Sequence, residues 1–318
     1  MGRSKPLPKR RRIDEEEAER AAIQALLDAP SEQVEAAAAE ATRKSCEAWP
    51  SLSLESTAEK VPDWLKGLGK TKRIPPPHFE ALRSLHELIK EQATTWTSWS
   101  GSREDPRKRA FGFVPDTLGY EEKTRASLDI STPWKDDDDG KEKQRNNRAM
   151  VVLEKPPVGV LDAIEYLCQE FSTDLDDDAP LKKYLKYSNL IAAQPNLHCG
   201  RKLLPTHVDH PLKDGFGIII ITIAIKGSGT LLLRDSAAKN GTTMEVAQGH
   251  AYMLADKARD ACAHGVLATG GERESLNLRF GLHDYSYLHL NLPLVPAHQV
   301  LQYWEDDTNA ADGKQTST

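Results

Sequence analysis

Apolar positions follow two different periods along this chain, and the change near Asn189 divides it. Before that point the spacing is helical. Phe79, Leu82, Leu85, Leu88 and Ile89 fall on one face of a predicted helix over Phe79–Gln92, which starts after Pro75-Pro76-Pro77. Val158 to Phe171 repeats the pattern as a second amphipathic helix, closed by Ser172 and the acidic turn Asp174 to Asp178. Residues 13–48, rich in Ala and Glu, read as two short helices broken at Asp28-Ala29-Pro30, and alanine buries little area per residue. From Asn189 onward short apolar blocks predict strands at Leu190–Ala193, Gly217–Ile225, Thr230–Leu233, Ala251–Leu254, Leu276–Leu282 and Tyr287–Leu292, punctuated by glycines. Many strands with glycine turns and no helices between them argue for a mainly β fold with flanking helices, an antiparallel barrel or jelly roll. No GxGxxG or GxxxxGK[ST] opens a helix, so dinucleotide and P-loop readings lose their best support.

These patterns predict three regions. Residues 1–60 form a flexible or weakly helical extension, and residues 301–318 a disordered tail. Between them lies one domain, 61–300, with supporting helices over 61–188 and the β core over 189–300.

Composition narrows the partners. Of 318 residues, 39% are hydrophobic and 28% charged, enough for a sizeable core. With 42 Lys and Arg against 48 Asp and Glu, the net charge is -6, which excludes a generally basic nucleic-acid coat but not a local basic face. The four cysteines are scattered without a CxxC pair, so neither a zinc ribbon nor a disulfide framework is expected, and a reducing compartment is the simpler setting. The opening MGRSKPLPKRRRIDEEE has no apolar run, and the longest apolar stretch, Gly217–Ile225, is about half a membrane span. No membrane partner is therefore expected. The tetrad Lys9-Arg10-Arg11-Arg12 reads either as a solvated tail or as an import signal, pointing to the nucleus and otherwise to the cytoplasm.

Chemistry concentrates in three places. In Thr206-His207-Val208-Asp209-His210, an extended backbone puts His207 and Asp209 on one face, side by side as two metal ligands would be, or as a simple hydrogen-bonded pair. His210 then points the other way. His264 lies beside Gly265, which permits a tight approach, and Cys262 alternates with it. On a strand, Arg273, Ser275, Asn277 and Arg279 share a face opposite Leu276, Leu278 and Phe280. Inside a barrel that polar face needs a partner, and an arginine fork suits a dicarboxylate; the bland alternative is a face open to water. Upstream, Trp96 and Trp99 stand close to Arg103, Arg107, Lys108 and Arg109, either a base-stacking, phosphate-holding wall or ordinary sheet aromatics with a charged turn.

In order and spacing these elements resemble the AlkB-like family of Fe(II)- and 2-oxoglutarate-dependent dioxygenases. The resemblance runs from about Phe79 to Leu292 and is carried by His207-Val208-Asp209, the distant His264, and Arg273-Glu274-Ser275-Leu276-Asn277-Leu278-Arg279. It implies a double-stranded β-helix core, with Fe(II) held by His207, Asp209 and His264, and dioxygen as cosubstrate. Arg273 would clamp the distal carboxylate of 2-oxoglutarate, with Ser275, Asn277 and Arg279 close to it. The family's Asn-x-Tyr is matched by Asn196-Leu197-His198, with histidine where tyrosine is usual, and Asn277 replaces a threonine. Pro106 to Phe113 is similar to the segment leading into the family's substrate lid.

The function this implies is oxidative demethylation of N-methylated bases in DNA or RNA, single-stranded or flipped out of the stack. Trp96, Trp99, Arg107 and Arg109 would line the substrate cleft, with Lys182, Lys183, Lys186, Arg201 and Lys202 adding phosphate contacts. The alternatives are a protein demethylase or hydroxylase with the same centre, which the acidic net charge suits, and a non-catalytic barrel.

Overall fold

The computed structural model describes residues 31–52, 61–94, 96–98, 105–120, 151–177, 179–208, 217–235 and 241–281. Several expectations lie outside them: Asp209 and His210, Trp99 and Arg103, the basic tetrad, the strand at 287–292 and the tail.

Four layers stack on one another. The outermost on one side is helix α1 (Ser31–Cys46). After β1 (Leu68–Arg73) come α2 (Pro76–Gln92), the short strands β2 (Thr97–Ser98), β3 (Lys108–Arg109), β4 (Gly112–Phe113) and β5 (Val151–Val152), and α3 (Val160–Ser172). The remaining strands are β6 (Leu190–Leu197), β7 (Leu203–His207), β8 (Ile219–Lys226), β9 (Gly229–Asp235), β10 (Gly241–Val246), β11 (His250–Leu254), β12 (Cys262–Ala268) and β13 (Glu274–Phe280), with a short helix α4 (Asp256–Asp260) before β12. The result is mixed α/β: a central sheet with flanking helices, facing a smaller sheet.

From β6 to β13 the chain deals its strands between the two sheets. The large sheet runs β1-β11-β8-β13-β6-β3-β2, with β4 and β5 attached beside β6, and the small one runs β10-β9-β12-β7. All ladders among β6–β13 are antiparallel. Among the described residues no ladder joins the two sheets, so they are two open sheets and not one closed barrel.

Alternation sorts the layers. Ile219, Ile221, Ile223 and Ile225 of β8, with Leu276, Leu278 and Phe280 of β13, face α2 and α3 and pack on Leu82, Leu85, Ile89, Ile164, Leu167 and Phe171. Between the sheets lies a second cluster: Leu231 and Leu233, Met244 and Val246, Cys262 and Val266, against Ala224, Tyr252 and Leu254. The outer face of the small sheet, Leu203, Leu232 and Leu267, is covered by Ala39, Cys46 and Trp49.

That last cluster refines the reading of the N-terminal extension. Its small alanines let α1 lie close on the small sheet, and the chain after it is stitched to β10: Thr243 N donates to Pro50 O at 3.1 Å, and Leu52 N to Thr243 O at 2.8 Å. Gly241 lies under the Trp49 ring, where a Cβ would come within 2.5 Å of it. Strands β7, β10 and β12 escaped the periodicity because LLPTH, GTTMEV and CAHGVLA do not alternate cleanly. No helix among the described residues is long and apolar enough to cross a membrane.

Candidate metal and anion site

The inner face of a two-sheet core should be apolar, and in the large sheet part of it is not. Register puts Tyr252 opposite Thr222, Thr222 opposite Asn277, and Asn277 opposite Gln194, a polar row crossing β11, β8, β13 and β6. The next row holds Ser275, Asn196 and Arg109 in the same way. A cavity opens over these rows, lined also by Arg107, Lys108, His198, His207, His264, Arg273 and Arg279. Polar groups are turned inward here because they surround a space and not packed side chains.

His207 and His264 meet across that space. They are register partners between β7 and β12, and their rings lie 4.6 Å apart, centroid to centroid, at 48°. The ladder shifts just after His264, where a Cβ on Gly265 would come within 2.6 Å of Leu204 O, so the expected tight approach at this glycine is present. His207 Nδ1 lies 3.0 Å from Pro205 O. A carbonyl only accepts, so Nδ1 donates in this contact, as in the tautomer that binds a metal through Nε2. Cys262 packs between the sheets, and burial pushes its thiol up to about 12, which keeps it protonated.

Arg273 supplies the opposite chemistry. Its side chain is 2% exposed, and burial pulls it below the ordinary arginine value. Nη1 donates to His198 Nε2 at 2.9 Å, while Nε and Nη2 have no hydrogen-bond partner among the described residues. No carboxylate lines the cavity among those residues. Burial first, then the charges of Arg273 and Arg107, hold His198 down to about 3, so its ring is neutral, accepts at Nε2 and carries its proton on Nδ1. That Nδ1 is also unpartnered, as is Asn277 Oδ1. Histidine in the expected tyrosine position thus braces the arginine, helped by a bond from its own amide to Arg273 O at 3.0 Å. Arg279 Nε donates to Gln194 Oε1 at 2.7 Å, and Gln194 Nε2 to Asn196 Oδ1 at 2.5 Å.

The structure therefore brings Asn196, His198, His207, His264, Arg273, Ser275, Asn277 and Arg279 to one cavity. Gln194, Thr222 and Tyr252 join them without having been singled out, since only strand register puts them in the row. Of the expected substrate residues, Trp96 packs on the cluster shared with α2 and α3 and is not among the residues lining this cavity. The turn carrying Lys182 and Lys183 also buries Leu181 in that cluster. Arg107 does line the cavity, but its guanidinium grips Asp105 and Leu203 O. Arg109 is buried on the wall.

A second group of potential ligands lies on the helix side of the same sheet. His86, Glu87 and Glu274 each offer an atom within 4.8 Å of the others, a set that could hold a metal ion. It has one imidazole and two carboxylates, and a cation is already there: Lys90 Nζ lies 3.0 and 3.3 Å from the Glu274 oxygens. Burial holds His86 below its ordinary value, with Glu274 and Glu87 opposing that shift. The ion pair accounts for the cluster without a metal.

No family model and no curated protein matches this chain. Among solved structures, OsALKBH1 aligns over 70% of this chain and 100% of its own, at 10% identity and a TM-score of 0.42. A prolyl-4-hydroxylase from Pseudomonas putida aligns over 68% and 94%, at 13% identity and TM-score 0.36. An oxidoreductase of the 2OG-Fe(II) oxygenase family from Burkholderia pseudomallei aligns over 29% and 43%, at 15% and 0.24. Superpositions this loose leave the chemistry to rest on the cavity's own residues.

Proposed function

We propose that the chain is an Fe(II)- and 2-oxoglutarate-dependent oxygenase whose centre lies between the sheets. The observation that carries this reading is the buried Arg273 guanidinium, with two nitrogens unpaired among the described residues, in the same cavity as the His207–His264 pair. A buried cation of this kind calls for an anion, and a facing imidazole pair calls for a metal. In this reading His207 Nε2, His264 and Asp209 hold Fe(II), and the alternation of β6–β13 is that of a double-stranded β-helix.

Bound Fe(II), with 2-oxoglutarate and dioxygen, supplies oxidative decarboxylation to succinate and CO2 coupled to hydroxylation of a C–H bond. The chain's residues do the rest. Arg273 takes the distal carboxylate through Nε and Nη2, and His198 Nδ1–H adds a third donor. Arg279, tied to Gln194, holds that side of the cavity, and the apolar cluster between the sheets limits water.

For the substrate we propose an N-methylated base in DNA or RNA, presented unpaired. Lys108 on the wall and Lys202 on the loop before β7 support it as phosphate contacts. Hydroxylation of an N-methyl group leaves a hemiaminal that releases formaldehyde. A methylated basic peptide is the second reading, favoured by the net charge of -6 and by the withdrawal of Trp96 from the cavity. The basic tetrad suits a nuclear setting for either.

The test is mass spectrometry of methylated oligonucleotides and methyl-lysine peptides with Fe(II), ascorbate and 2-oxoglutarate, recording succinate in the same samples. Methyl loss from a base that requires 2-oxoglutarate is expected. Loss from peptides alone overturns the nucleic-acid reading, and absence of succinate under every condition overturns the oxygenase. Glu87→Gln separates the two metal candidates: activity is expected to persist, and its loss would move the metal to the helix side.

A further inference from the structure

Among the described residues, the strand that carries His207 lies at the edge of the small sheet. Among the described residues β7 pairs only with β12, at Leu203, Leu204 and His207, and the register slips within that short ladder. An edge strand so thinly paired needs other restraints if the residue at its end is to stand in a fixed place.

Two side chains from distant parts of the sequence supply them, both at its first residues. From the β3 side, Arg107 Nη1 donates to Leu203 O at 2.7 Å. Its guanidinium is itself locked by Asp105: Nε to Oδ1 and Nη2 to Oδ2, each at 2.9 Å, with the Arg107 amide also donating to Oδ1 at 3.0 Å. Both side chains are largely buried, 16% and 6% exposed. From α1, Glu35 Oε1 accepts from the Lys202 amide at 3.0 Å, and Oε2 pairs with Arg201 at 2.5 Å. The Arg201 amide in turn donates to His198 O at 3.0 Å, so the loop leading from the arginine brace to the metal strand is held along its length.

We infer that Arg107, forked onto Asp105, and Glu35 of α1 are positioning residues for the metal pair: they clamp the start of β7 and so set where His207 stands against His264. The inference rests on the metal reading above. It gives Arg107 a role other than substrate contact, and it makes the N-terminal helix part of the site's support.

The experiment uses the full chain and Co(II) alone, titrated anaerobically through its d–d absorption, with no cosubstrate and no turnover. Amide exchange over residues 202–207 is read in parallel. Arg107→Ala and Glu35→Gln are expected to weaken Co(II) binding about tenfold or more, the usual scale for residues that orient a ligand, and to speed exchange at 202–207. Arg107→Lys should not restore affinity, since an ammonium cannot span Asp105 and the Leu203 carbonyl together. Arg83→Gln, on the exposed face of α2, controls for loss of a surface charge. Unchanged Co(II) affinity and spectrum in both Arg107→Ala and Glu35→Gln, with wild type binding normally, overturns the clamp and leaves the metal centre standing. Wild-type protein that takes up no Co(II) overturns the metal reading, and the positioning role falls with it. Should Arg107→Ala fail to fold, Glu35→Gln decides.

Discussion

Arg273 is expensive to bury, and that expense is measurable. A buried guanidinium with no carboxylate beside it among the described residues weakens the ligand-free protein, so Arg273→Met is expected to raise its stability by about 1 kcal/mol, net of the lost bond to His198. The same change should abolish any shift in melting temperature on adding 2-oxoglutarate. Calorimetry with and without the dicarboxylate checks both halves, and a less stable variant that still responds would remove Arg273 from the anion site. His198 gives a pH signature. Its value falls from 6.5 to about 3 in the folded chain, so below pH 6.5 the unfolded chain takes up a proton that the folded one refuses. Stability is therefore intact above pH 6.5 and is lost as pH falls toward 3, reaching about 2 kcal/mol at pH 5 from this group alone. Urea midpoints at pH 7 and pH 5 should lie closer together in His198→Gln than in wild type. At this scale what was legible is which residues share a cavity: His207, His264 and the Arg273–Arg279 face all line it, because their spacing is local. Gln194, Thr222 and Tyr252 were not legible, since a single polar residue in an apolar strand acquires meaning only from its partner across the ladder.

Elements were legible where the pattern was strong and local. The helices α2 and α3 and the strands β6, β8, β9, β11 and β13 fall within a few residues of their expected places. The partners of the small sheet were hidden because β7 and β12 each contain a residue that spoils alternation, Pro205 in one and Gly265 in the other. Gly265 is required there for space. Gly265→Ala would bring a Cβ within 2.6 Å of Leu204 O and 2.9 Å of Thr206 N, both backbone atoms with little room to yield. A loss of about 1–3 kcal/mol is expected, together with a changed Co(II) spectrum, because the slip in register sits beside His264. A variant as stable as wild type with an unaltered spectrum would show the bulge to be incidental.

The described residues form two facing sheets between α1 on one side and α2 with α3 on the other, and the candidate metal and anion chemistry lies in the gap between the sheets. Ligands that fill this gap should stabilise all four layers together. Co(II) and 2-oxoglutarate supplied under argon, each at a hundredfold excess over its dissociation constant, should add about 2.7 kcal/mol apiece, in a single transition. A split transition would mean that the sheets melt separately.

The position of β13 in the large sheet has a consequence for how the protein is made. This strand is inserted between β6 and β8, although it leaves the ribosome after every other strand described. A chain synthesised as far as Ala268 already holds His207 and His264, yet its large sheet is in two pieces, β6 with its short neighbours and β8 with β11, lacking the strand that joins them. The long-range pairing that completes the sheet follows late, as high contact order requires. Arg273 arrives on that closing strand's own threshold. A nascent chain that stops short of β13 therefore lacks both the strand that joins the two pieces of the large sheet and the buried arginine of the cavity, so the two are gained together.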